Sequence, residues 1–263
     1  MSDPYLPPVD RLLKLGAEPA RRRTWPDYRT LGLEPRHVPA LVRMATDPAL
    51  LAAAERDPAS WAPVHAWRAL GQMEAQEAAG PMLRLLETRG EDFWVQEELP
   101  DVLGMIGPAA LHGATLLLFD EDRHEEMRMA AGAIITNVAF QHPDRRAEAA
   151  AVLVKQLEDW AHQSRALNSF LIAELVALGE KAAAPVMEAA FAAGAVNERE
   201  SGSWQEVQVA LGLVAAPETP WADEGWDDGR REGSRTPSAT ADAKARARRK
   251  AEKAARKRNR KKK

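Results

Sequence analysis

The stretch WAPVHAWRALGQMEAQEAAGPMLRLLE, residues 61–87, reads as two apolar helices around a short turn and carries a His, two Trp and several carboxylates. Such side chains suit either the corner of an active site or one unit of something that recurs, and self-similarity along the chain separates the two readings. ALG stands at 69–71, VLG at 102–104, ALG at 177–179 and ALG at 210–212. Their glycines, at 71, 104, 179 and 212, lie 33, 75 and 33 residues apart. Within the long gap NVAFQHP, residues 137–143, ends another long apolar stretch where a glycine would be expected. Trp61 and Trp94 share the 33-residue spacing, as do Leu70 and Leu103. A second apolar stretch follows each unit: EAAGPMLRLLE, PAALHGATLLLF, DRRAEAAAVLVKQLEDW and KAAAPVMEAAFAAG. A pattern met four times is an architectural unit, so Trp61 and Trp94 are read as packing between units.

The periodicity is helical throughout. Val38, Leu41, Val42 and Ala45 fall at i, i+3, i+4 and i+7, as do Leu99, Val102, Leu103 and Ile106. Leu111, Ala114, Thr115 and Leu118 repeat the pattern, and so do Met127, Ala130, Ala131 and Ile134. Each set puts an apolar stripe on one helix face. Pro48, Pro58, Gly71, Gly90, Gly107-Pro108, Pro143, Gly179 and Gly194 punctuate the stripes, so loops are short and neighbouring helices antiparallel. No stretch alternates with period two.

ALGQMEAQEAAGPMLRLL resembles the HEAT-like repeat named after phycobilisome lyases: A-L-G, a turn, an Ala, a Pro early in the second helix and paired leucines. VLGMIGPAALHGATLLL and ALGEKAAAPVMEAAF are weaker copies, and the third unit departs by lacking the glycine. The resemblance spans roughly residues 36–213. It implies an all-α fold, a right-handed α-α solenoid of about four to five HEAT-like helix pairs, in which stacking gives each pair the core it cannot build alone. Second helices would line the concave, binding surface. The resemblance speaks to architecture and little to function, since such repeats serve as scaffolds, lyase subunits, hydroxylases and DNA-repair proteins.

Composition agrees with helix: of 263 residues 45% are hydrophobic, yet only 2 are Tyr and 5 Phe. The absence of Cys excludes disulfides, thiolate metal sites and Cys nucleophiles. No signal-peptide core or membrane-length apolar window is present, so a cytoplasmic protein without membrane partners is expected. The net charge of -3 hides a split. Residues 242–263 hold 13 Lys+Arg and 2 Asp+Glu, a net of +11; subtraction from 36 and 39 leaves 23 and 37 for residues 1–241, a net of -14. Asymmetry of this kind concerns partners more than fold.

Candidate chemistry is sparse. His65 and His112 fall on helical faces, and His37, His124, His142 and His162 near helix ends or turns; all six read as solvated or core-edge side chains. The deoxyhypusine class of HEAT-repeat hydroxylases holds iron with repeated His-Glu dipeptides, whereas His124-Glu125 is the one such pair in this sequence. HEAT-like DNA glycosylases grip DNA on a basic face, and this body has the opposite sign. Lyase activity finds no residue that points to a bilin site. Glu97-Glu98, Asp120-Glu121-Asp122 and Glu125-Glu126 read as helix-start and polar-face acids favoured by the dipole. No cofactor or metal is expected.

Four segments result: an irregular N-terminal cap at 1–33 with prolines 4, 7, 8, 19 and 26, a HEAT-like domain at 34–214, an acidic disordered linker at 215–241 and a basic low-complexity tail at 242–263. The tail supplies the candidate nucleic-acid contacts: Lys244, Arg246, Arg248, Arg249, Lys250, Lys253, Arg256, Lys257, Arg258 and Arg260. They would bind RNA or DNA without sequence readout, because no aromatic residue is present to stack bases; a tail that only solubilises, or folds back on the acidic body, is the bland reading beside it. The functional expectation is a noncatalytic protein-interaction scaffold, with nucleic-acid or ribosome association through the tail. The alternative is an enzyme on a HEAT scaffold, a DNA-repair glycosylase first.

Overall fold

A computed structural model describes residues 5–17, 25–54, 56–90 and 92–215. Among them every regular element is helical. The chain divides into two compact units, Met1–Gln156 and Leu157–Lys263. That division falls inside the single repeat domain expected over 34–214.

In the first unit, α1 (Val38–Ala45) and the short α2 (Pro48–Leu51) precede α3 (Ala62–Gln72) and α4 (Ala79–Thr88). Then come α5 (Phe93–Ile106), α6 (Pro108–Phe119), α7 (Glu125–Gln141) and α8 (Arg146–Leu157), the last ending at the unit boundary. First helices pack in series, α1 on α3, α3 on α5 and α5 on α7, while second helix α4 packs on α6. The stripes read from the sequence supply much of the core: Leu41, Ala45, Leu99, Val102, Leu103, Ile106, Leu111, Ala114, Leu118, Ala131 and Ile134 are buried, whereas Val42, Thr115, Met127 and Ala130 are half-buried. α3 is buried on every side from Ala62 to Gly71. A helix apolar on one face only could not tolerate that, and α3 does so because its polar side chains are all engaged, as described below.

Glycine sets the spacing of the first helices. A Cβ on Gly104 would stand 2.4 Å from Cβ of Asn137, so α5 and α7 meet at backbone distance there. Gly71, one period earlier, faces Val102 and Met105 of α5 at 3.3–3.5 Å. Asn137 is one further period on, so the register continues through the unit that lacks the glycine. Trp61 and Trp94 meet edge to face, ring centroids 4.9 Å apart, which is the packing role read from their spacing.

The N-terminal segment is more ordered than its prolines suggest. Val9–Lys14 and Tyr28–Leu31 form 3-10 turns, and Val9, Leu12, Tyr28 and Leu33 are buried. Both turns pack on α3, the first also on the turn Pro58–Trp61.

In the second unit, α9 (Arg165–Ala177) packs on α11 (Glu198–Ser201), and α10 (Ala184–Ala192) on α12 (Trp204–Ala210). Ser164 accepts from the Leu167 N–H at the start of α9, and Ser203 forms a capping box with Glu206 at the start of α12. The Ser203 amide and hydroxyl bonds hold the Glu206 carboxyl below its usual range. Gly179 and Gly212 end α9 and α12 with φ of +64° and +65°, the left-handed conformation that a Cβ disfavours. The linker beyond residue 215 and the tail, with Lys244, Arg246, Arg248, Arg249, Lys250, Lys253, Arg256, Lys257, Arg258 and Arg260, lie outside the described residues.

Candidate functional site

The densest polar cluster is built on α3. His65, Arg68 and Gln72 fall at i, i+3 and i+7, one helix face, and each engages the N-terminal segment. His65 Nε2 lies 2.8 Å from the Gly16 carbonyl oxygen and Nδ1 2.7 Å from the Tyr28 hydroxyl. The carbonyl can only accept, so Nε2 carries the proton and Nδ1 accepts from Tyr28. Gln72 grips main chain at both ends of its amide, accepting from the Tyr28 N–H at 3.0 Å and donating to the Pro26 carbonyl at 2.8 Å. The Arg68 guanidinium lies 4.8 Å from the centre of the Trp25 ring.

Arg68 also ties α3 to α5. Its Nε and Nη2 donate to the two carboxylate oxygens of Glu98 at 2.8 and 2.5 Å, and Trp67 Nε1 donates to the same carboxylate at 3.3 Å. Both partners are buried. Burial opposes the arginine's charge, but the Glu98 carboxylate outweighs it and the guanidinium's pKa is raised. Glu98 is therefore not one of the solvated helix-start acids expected from Glu97-Glu98. His65 is likewise fully buried, which corrects its reading as a solvated or core-edge side chain.

The link is renewed one helix later. Asn137 of α7 donates to Asp101 of α5 at 3.0 Å. The connecting turns are joined too. Gln76 donates to the Ile106 carbonyl and accepts from the Ala109 N–H, and His142 Nε2 lies 3.0 Å from the Met105 carbonyl, its ring against Gly107. Gln76, Ala109 and His142 are 33 residues apart, but their contacts differ: Gln76 reaches forward to the turn after α5, His142 reaches back to it, and Ala109 gives its N–H to Gln76.

The remaining histidines serve helix ends or face solvent. His37 Nδ1 accepts from the Glu34 N–H, His124 precedes α7, and His162 Nδ1 lies 2.6 Å from Asp159. His112 is exposed on α6. Asp120 pairs with Arg123, which holds its carboxyl below the usual range, and Glu125 and Glu126 sit in the first turn of α7. Among the described residues no three His, Asp or Glu side chains converge as metal ligands, and no helix is long and apolar enough to cross a membrane. The cluster on α3 joins the N-terminal segment to α3 and α5: Tyr28, His65, Arg68 and Glu98 are buried, Trp25 and Gln72 half-buried, and Arg68 Nη1 and Trp25 Nε1 are without a hydrogen-bond partner.

Against family models, curated proteins and solved structures, the chain finds no match.

Proposed function

We propose that the chain is a noncatalytic protein-interaction scaffold of the HEAT-like class, a solenoid of about four to five helix pairs acting in the cytoplasm. Its body binds a protein partner, and residues 242–263 add nonspecific affinity for RNA, DNA or ribosomes. The observation that supports the reading is that positions 33 residues apart, Gly71, Gly104 and Asn137 in first helices and Gln76, Ala109 and His142 near the turns, all lie where one helix pair meets the next. Gly104 sets the distance between α5 and α7, Gly71 packs on α5, and Gln76 and His142 tie successive turns. Side chains spent on stacking similar units make an extended surface. The tail's share rests on its +11 charge, read from sequence.

Affinity purification from the native cell tests the proposal, comparing the full chain with one ending at Ala216, each with and without nuclease. A protein retained by both chains and insensitive to nuclease is the expected result. Loss of every partner with the tail, or on nuclease treatment, overturns the assignment of binding to the helical body.

A further inference from the structure

The outward side of α6 differs from that of α8. α8 exposes Arg146, Glu148 and Lys155. α6 exposes Pro108, His112, Leu116 and Phe119, with Thr115 half-buried between them and no Lys, Arg, Asp or Glu along its twelve residues. Leu116 is 61% exposed and Phe119 41%. Positions 112, 116 and 119 share one helix face. The neighbouring α4 packs closely on α6, because Gly113 lets α6 close on Leu83: a Cβ there would stand 2.3 Å from Leu83 Cδ1. Beside this face Arg84 is exposed on α4. At the C-terminal end of α6 the charge changes abruptly to acid. Asp120, Glu121, Asp122, Glu125 and Glu126 follow Phe119, and Glu87 joins them from α4. Arg123 is held between Glu87 at 2.6 Å and Asp120 at 2.8 Å, and Arg128 donates to the Leu118 carbonyl, so the two arginines there are already engaged.

An exposed apolar strip with a predominantly acidic cluster at one end marks an interaction surface, and its chemistry selects the partner. We propose that the outward face of α6 docks an amphipathic helix of a partner protein, apolar on one side and rich in Lys or Arg where it passes residues 120–126. The strip is about 18 Å long, three helical turns, and ridges of Leu and Phe offer the relief into which another helix packs. The chain's own tail has the charge but no bulky apolar residue to meet Leu116 and Phe119. A second copy of this face brings the same acids and no complement to them.

The inference rests on the scaffold reading and names the surface it uses. Its test is titration of the full chain with three 18-residue peptides: a Leu/Lys amphipathic helix, its Leu/Glu counterpart, and an Ala/Lys helix of equal charge. The Leu/Lys peptide binds and the other two do not. Leu116→Asp and Phe119→Asp, at exposed positions that leave the circular dichroism spectrum unchanged, each weaken it tenfold or more. The double change Glu121→Lys with Asp122→Lys weakens it several-fold and flattens its salt dependence. Equal binding of the Ala/Lys peptide, or affinity untouched by Leu116→Asp and Phe119→Asp, overturns the proposal. So does a dimer that Leu116→Asp dissolves, or Leu/Lys binding seen only after removal of 242–263; these assign the face to a second copy or to the tail. A native partner that Leu116→Asp and Phe119→Asp still capture leaves the scaffold standing and removes this surface from it.

Discussion

The same three letters, A-L-G, do different physical work in the two units. In the first unit Gly71 lies inside α3, and Gly104, of the V-L-G variant, inside α5; each faces a neighbouring helix, in ordinary-to-tight contact at Gly71 and at a distance that a side chain would obstruct at Gly104. In the second unit Gly179 and Gly212 stand just past their helices, in the left-handed conformation, with no atom closer than 3.5 Å to where a Cβ would sit. The positive-φ residue that follows α3 falls three residues later, on Glu74 with φ +51°, while α5 ends on Gly107 with φ +89° and ψ -127°, outside the left-handed helical region. Both Glu74 and Gly179 are followed by the same closure: the next residue's N–H reaches back to the Leu70 or Leu175 carbonyl. Aligned by geometry, Gly179 corresponds to Glu74 and not to Gly71. Both units carry buried polar links, Arg68–Glu98 in the first and Asn168 to the Ala195 carbonyl with the Asn197 N–H to Ser169 in the second, so what separates them is the glycine: it packs inside a helix in the first and caps a helix in the second.

Breaking a buried link should have the largest effect. Glu98→Gln leaves the Arg68 charge buried without its counter-charge, and about 3–5 kcal/mol of stability is lost in urea denaturation. Replacing both partners, Arg68→Met with Glu98→Leu, recovers most of that loss. Next comes overpacking: Gly104→Ala costs about 2–3 kcal/mol, the clash with Asn137 outweighing the better helix propensity of Ala. Gly71→Ala, whose nearest neighbour is the flexible Met105 thioether at 3.3 Å, changes stability by less than about 1 kcal/mol. In the second unit Gly179→Ala and Gly212→Ala each cost about 1–2 kcal/mol through backbone conformation alone. Glu74→Gly has the opposite sign and stabilises by about 1 kcal/mol, read as a higher Tm. The smallest effect is a pH dependence. Partial burial and the hydrogen bond to Asp47 push the Tyr5 phenol up to about 12. Its folded pKa lies above its unfolded one, so its contribution is complete below about pH 10 and is lost as pH rises toward 12. Tyr5→Phe removes that part of the alkaline decline in Tm.

Much of the fold was legible because apolar residues recur at helical spacing, and the stripes ending at Ala45, Ile106, Leu118 and Ile134 lie where the periodicity put them. The 33-residue period also survived, even through Asn137. What periodicity could not convey is which way a polar residue faces. Glu98, next to half-buried Glu97, reads as a helix-start acid, and its partner Arg68 is 30 residues away with no local signal joining them. Trp25 sits in irregular chain beside Pro26 and Tyr28 opens a 3-10 turn too short to show a stripe, so their grip on α3 was invisible. A polar row at 65, 68 and 72 on an otherwise apolar helix was the signal available for it. The letters A-L-G misaligned the units by three residues because a sequence match does not distinguish a packing glycine from a capping one.

The most direct test of that distinction is a double-mutant cycle for stability between Gly104→Ala and Asn137→Gly, run beside the cycle between Gly179→Ala and Asn137→Gly. Removing the Asn137 side chain makes room for the new methyl, so the first cycle should show a favourable coupling of more than about 1 kcal/mol and the second a coupling near zero. Equal, negligible couplings in both cycles would mean that Gly104 does not set the distance between α5 and α7, and the reading of the first unit as helices stacked through their glycines would fail.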